Sequence, residues 1–161
     1  MTNIRSATAQ DLPALQNLAQ EAWGYTYRNI YSAASISEFI EEVYTREFHD
    51  RLLVRVAEGT HFLDLLVVEG TVSGIASVDL NEAGAHLTRL YLYPELIGMG
   101  HGSKLLASAE NRARTAGKST LDLLVHKDNQ LGIDFYERKG FQRYAGIDDD
   151  GEGELGYRKT L

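Results

Sequence analysis

The segment Tyr93-Pro94-Glu95-Leu96-Ile97-Gly98-Met99-Gly100-His101-Gly102-Ser103-Lys104-Leu105-Leu106 changes character twice within fourteen residues. An apolar run of strand type stops at a proline. Three glycines follow at alternate positions. The apolar residues Leu105, Leu106, Ala109, Ala113 and Ala116 then fall on one helical stripe. Gly98, Gly100 and Gly102 let the backbone take positive φ and approach a ligand closely. The first N–H groups of the helix lack partners inside it and favour an anion. The turn therefore reads either as a plain connection or as a cradle for a pyrophosphate, with backbone amides as donors and Lys104 as an added charge. It is neither a Walker A loop nor a Rossmann fingerprint, since its third glycine follows the second by two residues.

Upstream, His86 to Tyr93 is the strand that leads into the loop. His61 to Val68 and Val72 to Leu80 read as a hairpin about Glu69-Gly70, and Asn81 to Gly84 is a second turn. The N-terminal part is a short strand, Ile4 to Ala7, followed by three helical stretches. Thr8 and Asp11 form a capping-box start, Pro13 is tolerated early in the first helix, and Gly24 is its expected end. Ser35 or Ser37 is the expected cap of a helix reaching Tyr44, and a third helix runs from Glu47 to Ala57. Downstream, a strand at Thr120 to Val125 precedes a helix at Asn129 to Lys139. Two last strands, Phe141 to Ile147 and Gly153 to Lys159, are joined by the acidic turn Asp148 to Gly151. The order implies one α+β (mixed α/β) domain over residues 1–161, with a central mixed, mostly antiparallel sheet flanked by helices.

The whole chain sets outer bounds. Its 161 residues are 43% hydrophobic and 24% charged, ordinary for a globular domain. The absence of cysteine removes disulfides and thiolate ligands, and no metal site is expected. A net charge of −7 argues against a nucleic-acid partner and mildly favours cationic ones. No signal-peptide or membrane-spanning run is visible, so a cytoplasmic protein is expected.

The second informative segment is Asn129-Gln130-Leu131-Gly132-Ile133-Asp134-Phe135-Tyr136-Glu137-Arg138-Lys139-Gly140-Phe141. Asn129 would cap the helix or reach a ligand. Tyr136, taken alone, is a tyrosine at the edge of the core; the sharper alternative is a general acid.

Together the two segments resemble the GNAT superfamily of N-acetyltransferases. There a strand like Leu87-Thr88-Arg89-Leu90-Tyr91-Leu92 precedes a loop written Gln/Arg-x-x-Gly-x-Gly/Ala, and a later helix carries Phe-Tyr-Glu before Gly-Phe. The resemblance implies acetyl-CoA as cofactor. Leu90, Tyr91 and Leu92 would bond the pantetheine arm through their backbone, and the backbone of Gly98, Met99, Gly100, His101, Gly102 and Ser103 would hold the pyrophosphate. Asn129 would contact the CoA arm, and Tyr136 would protonate the departing thiolate. Ile97 replaces the usual Gln/Arg, and Leu124 stands where many relatives carry a glutamate. That leaves the general base open: His86 is the first candidate, His126 the second, and Glu21 and Glu82 are weaker ones. Trp23, Tyr27 and Tyr31 resemble the acceptor side of small-amine and polyamine acetyltransferases, where aromatic faces can hold an alkylammonium, although core packing explains them equally well. The expected function is acetyl transfer to a primary amine, a small molecule or polyamine. A protein N-terminal acetyltransferase and a non-catalytic acyl-CoA sensor are the alternatives. A homodimer through edge strands is compatible with the resemblance.

Overall fold

The computed structural model describes residues 1–149 and 151–161. Asp150, part of the expected acidic turn, lies outside the described residues. Seven strands form one sheet in the order β1-β2-β3-β4-β5-β7-β6. They are β1 (Thr2–Ser6), β2 (His61–Val68), β3 (Thr71–Asn81), β4 (Gly84–Leu92), β5 (Thr120–His126), β6 (Gln142–Arg143) and β7 (Glu154–Thr160). Every pairing is antiparallel except that of β4 with β5. Helices α1 (Leu12–Thr26), α2 (Ala33–Val43) and α3 (Arg46–Ala57) cover one face. Helices α4 (His101–Thr115) and α5 (Gln130–Arg138) cover the other. The mixed, mostly antiparallel sheet flanked by helices is the architecture expected.

Alternation explains the two cores. Leu121, Leu123 and Val125 of β5 face α4 and α5, as do Ala85 and Leu87 of β4. Leu63 and Leu65 of β2 and Ile75 of β3 face α1–α3. On β4 the apolar set then slips: Leu90 and Leu92 share a face with Leu87, a step of three that no regular strand permits. A bulge resolves the conflict. Ser77 pairs with Arg89 while Val78 pairs with Leu87, so Thr88 is the extra residue, and its Oγ1 donates to the Ser77 carbonyl at 3.1 Å. Ser77 also meets a buried histidine, with His61 Nε2 2.7 Å from its Oγ and His61 Nδ1 3.5 Å from Asp79 Oδ1. Arg55 pairs with the same Asp79.

Several local expectations needed correction. Helix α1 does not stop at Gly24 but continues to Thr26, because Trp23 and Tyr27 at the following turn pack on one another with ring centroids 4.4 Å apart. Helix α2 begins earlier than Ser35 or Ser37: Ser32 is its cap, and the Ser35 N–H donates to Ser32 Oγ at 3.1 Å. The strand expected from Phe141 to Ile147 is paired only at Gln142 and Arg143, after which the chain turns through a 3₁₀ segment at Ala145–Ile147. Arg143 grips Asp148 with two hydrogen bonds of 2.8 Å, and the Gly156 N–H donates to Asp148 Oδ1 at 2.6 Å. The turn lies so close over Gly156 that a Cβ there would come 2.3 Å from the Tyr144 carbonyl oxygen.

Helix α4 is tied to the sheet by charge as well as by leucines. Asp64 of β2 is only 2% exposed and accepts from Arg112 Nε at 2.9 Å and Nη2 at 2.7 Å. Removing one partner of such a pair strands the other. Arg112→Ala is therefore expected to lower unfolding free energy by about 3 kcal/mol in urea titrations. The double variant Arg112→Met with Asp64→Leu is expected to recover most of that loss.

At the start of α1, Arg5 grips Asp11 at 2.8 and 2.9 Å, and the Thr8 N–H adds a bond of 2.7 Å. The Arg5 bonds, opposed by burial and helped by Thr8, lower the Asp11 pKa to about 2. A carboxylate with a depressed folded-state pKa contributes stability that is full above its unfolded pKa and is lost as pH falls through about 2. Asp11→Asn is expected to flatten the acid-side fall in melting temperature between about pH 4 and 2.

Candidate active site between β4 and β5

The parallel ladder of β4 and β5 is short. Ala85, His86 and Leu87 pair with Leu121, Asp122 and Leu123, and beyond them the strands part. The bulge at Thr88 bends β4 at that point. The later part of β4 thus has an edge with no strand partner on the β5 side. A cavity of about 500 Å³ occupies the opening. Its walls come from both faces of the sheet: Ala22, Thr26 and Tyr27 from α1, and Ser103, Asn129, Phe135 and Tyr136 from the α4–α5 side.

The glycine loop forms one wall. Gly98 and Gly100 have φ of 83° and 85°, in the left-handed region that favours glycine. Gly100 is the N-terminal cap of α4, and the first bond closing the helix runs from the Lys104 N–H to the Gly100 carbonyl at 3.2 Å. The amides of His101, Gly102 and Ser103 therefore lie in the first turn, where the helix offers no acceptor. Free amides, a free strand edge and a cavity of this size fit a phosphorylated thiol cofactor with an extended arm.

The expected cofactor residues divide. Leu90, Tyr91, Leu92, Gly98, Gly100, Gly102, Ser103, Asn129 and Tyr136 line the cavity. Met99 projects from the loop and is 64% exposed, whereas His101 is buried with Nδ1 unpartnered, so only their backbones are available to a ligand there. Asn129 caps α5, its Oδ1 accepting from the Gly132 N–H at 3.0 Å. Ile97 and Leu124, the two departures from the family pattern, both line the cavity.

Tyr136 is half-buried on α5, in edge-on contact with Phe135 and Phe141 at 5.3 and 5.6 Å. Burial, with a smaller contribution from Tyr91, holds its hydroxyl well above the ordinary tyrosine pKa. The group is thus a protonated donor at neutral pH.

Of the residues expected to face the acceptor, Tyr27 lines the cavity but Trp23 and Tyr31 do not. Trp23 stacks on Phe39 at 4.3 Å and meets Tyr91 edge-on at 6.2 Å, so it supports the wall from behind. Tyr31 lies between Tyr27 and His126, 5.7 Å from each ring. His86 is not brought to the cavity. It sits in the paired part of β4, five residues and about 17 Å along the strand from Tyr91, beside Asp79 and Asp122. Burial lowers its pKa. Glu21 and Glu82 are exposed away from the cavity wall. His126 is 6% exposed at the end of β5, where it pairs in register with Glu154.

Glu154 is a residue that the sequence reading missed. Burial raises the Tyr27 pKa, and Tyr91, Glu154, Tyr136 and Tyr31 add to the effect. Glu154 is not among the residues that line the cavity, but its charge acts on Tyr27, which does line it. Sequence shows Glu154 only as the start of a strand; what brings it here is the long-range ladder with β5.

The family model described as the acetyltransferase (GNAT) family matches residues 13–141. A spermidine N(1)-acetyltransferase of Thermoplasma acidophilum is 34% identical over 143 residues, covering 86% of this chain and 87% of the relative. An uncharacterised N-acetyltransferase of Lactobacillus delbrueckii subsp. lactis is 26% identical over 100% of this chain and 99% of its own. The crystal structure of the PaiA N-acetyltransferase of Thermoplasma acidophilum in complex with coenzyme A superimposes with a TM-score of 0.94 at 29% identity, covering 100% of this chain and 99% of that one. With the parted strands, the glycine loop and these matches in agreement, the chain belongs to the GNAT family of acetyl-CoA-dependent acetyltransferases.

Proposed function

We propose that the protein transfers the acetyl group of acetyl-CoA to a primary amine of a small molecule, with a polyamine as the preferred class. The observation that supports this most is Tyr136, a half-buried proton donor, set in one cavity with the glycine loop and the free edge of β4. The spermidine acetyltransferase among the relatives supports the substrate class, as does the net charge of −7.

Acetyl-CoA supplies an activated acetyl thioester. In this reading the amides of Gly98 to Ser103 bind its pyrophosphate and the free edge of β4 bonds its arm. A backbone N–H near Leu92 faces the oxygen on which negative charge develops. Tyr136 delivers a proton to the leaving sulfur. Tyr27 and the rings behind it shape the acceptor side and exclude water.

Release of free thiol from acetyl-CoA should be measured with spermidine, butane-1,4-diamine and a peptide bearing a free N-terminus. Turnover with the diamines and not the peptide is the expected result. Tyr136→Phe is expected to reduce kcat by about a hundredfold, with KM for acetyl-CoA changed little. Turnover only with the peptide would favour N-terminal acetylation instead, and acetyl-CoA binding without turnover would favour a sensor.

Ile97 lines the cavity at the position where the family pattern has Gln or Arg. Ile97→Arg adds a charged donor beside the pyrophosphate position and is expected to tighten CoA binding about tenfold by calorimetry.

A further inference from the structure

Glu154 and His126 end their strands as direct antiparallel partners, so their side chains leave the same face of the sheet. Leu121, Leu123 and Val125 of β5, with Leu155 and Tyr157 of β7, face α4 and α5; His126 and Glu154 therefore face the α1 side. The Tyr31 ring lies 5.7 Å from His126 and 5.7 Å from Tyr27, so the pair stands directly behind the part of the cavity wall that Tyr27 forms. His126 is 6% exposed. Its Nδ1 accepts from the Asp128 N–H at 3.1 Å, so the neutral ring carries its proton on Nε2. Nε2 has no hydrogen-bond partner among the described residues. The Glu154 backbone is fully engaged, exchanging hydrogen bonds of 3.0 Å with Asp149, while its carboxylate has no ion-pair or hydrogen-bond partner among the described residues.

We infer that Glu154 is the catalytic residue that receives the acceptor's ammonium group and takes its proton. The inference rests on the acetyltransferase reading and fills the role that His86, away from the cavity, does not. A proton passes from the ammonium to the Glu154 carboxylate and on to solvent. The freed lone pair forms the N–C bond to the acetyl carbon, and the C–S pair leaves with sulfur. Tyr136 protonates that sulfur and regains a proton from the nitrogen as it becomes an amide. The net products are an N-acetyl amine, CoA thiol and one proton.

The surroundings suit that task. Burial raises the Glu154 pKa; His126 opposes the rise, and Asp149 and Glu152 add to it. Asp128 and Lys127 follow His126 on the β5 side, and Tyr27, Tyr31 and Tyr91 complete the neighbourhood. A carboxylate with a raised pKa is a stronger base than an ordinary one. Activity is therefore lost as pH falls through the raised Glu154 pKa.

The test compares wild type, Glu154→Gln and Glu154→Asp. Each variant is first checked for an unchanged melting curve and unchanged CoA affinity. Glu154→Gln is expected to lose about a hundredfold in kcat/KM for spermidine, to keep its KM for acetyl-CoA, and to lose the acid limb of the pH profile. Glu154→Asp is expected to retain the acid limb at reduced kcat. Glu154→Gln with kcat/KM within about threefold of wild type and the same acid limb overturns the inference. If wild type turns over no amine while binding acetyl-CoA, the acetyltransferase reading fails separately. Spermidine binding to the CoA complex, by calorimetry, then decides for Glu154: tenfold weaker binding to Glu154→Gln supports the site, and equal or absent binding overturns it.

Discussion

The site depends on the parting of β4 and β5 after three paired residues. A parallel pair that stayed in register would bury its own backbone and leave no room in the sheet. The bulge at Thr88 bends β4 away, and the cost of unpaired strand edges is offset by what they then make available. The glycine loop, the cap of α5 and the rings of α1 all converge on that opening. The Asp64–Arg112 pair matters for the same reason, since it anchors α4, whose first turn forms the cavity wall, to a central strand.

The division of labour between the two faces follows from alternation. Side chains of β4 at Leu90 and Leu92 point toward α4 and α5, while Arg89, Tyr91 and Tyr93 point toward α1–α3. Arg89 spreads over Tyr44 and Phe48 at 4.8 and 5.2 Å, a cation held by aromatic faces inside that second layer. The opening joins the layers, so Tyr136 on one side and Tyr27 on the other address a common space.

Much of this was legible in the sequence because it is local. The glycine run, the helical stripe after it and the Asn129–Phe141 segment each declare themselves within fifteen residues, and together they mark the cofactor side. The bulge was not read from the sequence; the step of three from Leu87 to Leu90 gains its meaning only once the register with β3 is known. The acceptor side was not legible. His86 looked suitable because it lies on the right strand, yet the cavity is bordered only from Leu87 onward. Glu154 gives no signal of its own; its position is made by a ladder to β5, some thirty residues away. The shortened β6 has the same origin, since the turn that ends it fits only over the bare backbone of Gly156.

The buried array at the bulge carries a separate lesson. Ser77, His61 and Asp79 present the residue types of a hydrolytic triad, with the hydroxyl 2.7 Å from Nε2, but Asp79 is 3.5 Å from Nδ1 and makes no hydrogen bond to it. Ser77 is 1% exposed and His61 2%, sealed between sheet and α3, so no scissile bond can reach the oxygen. The same three groups that would make a nucleophile at a surface here tie β2 to β3 beside the bulge. A nucleophile is thus defined by access as much as by its neighbours, and a search by residue type alone would mistake this brace for an esterase.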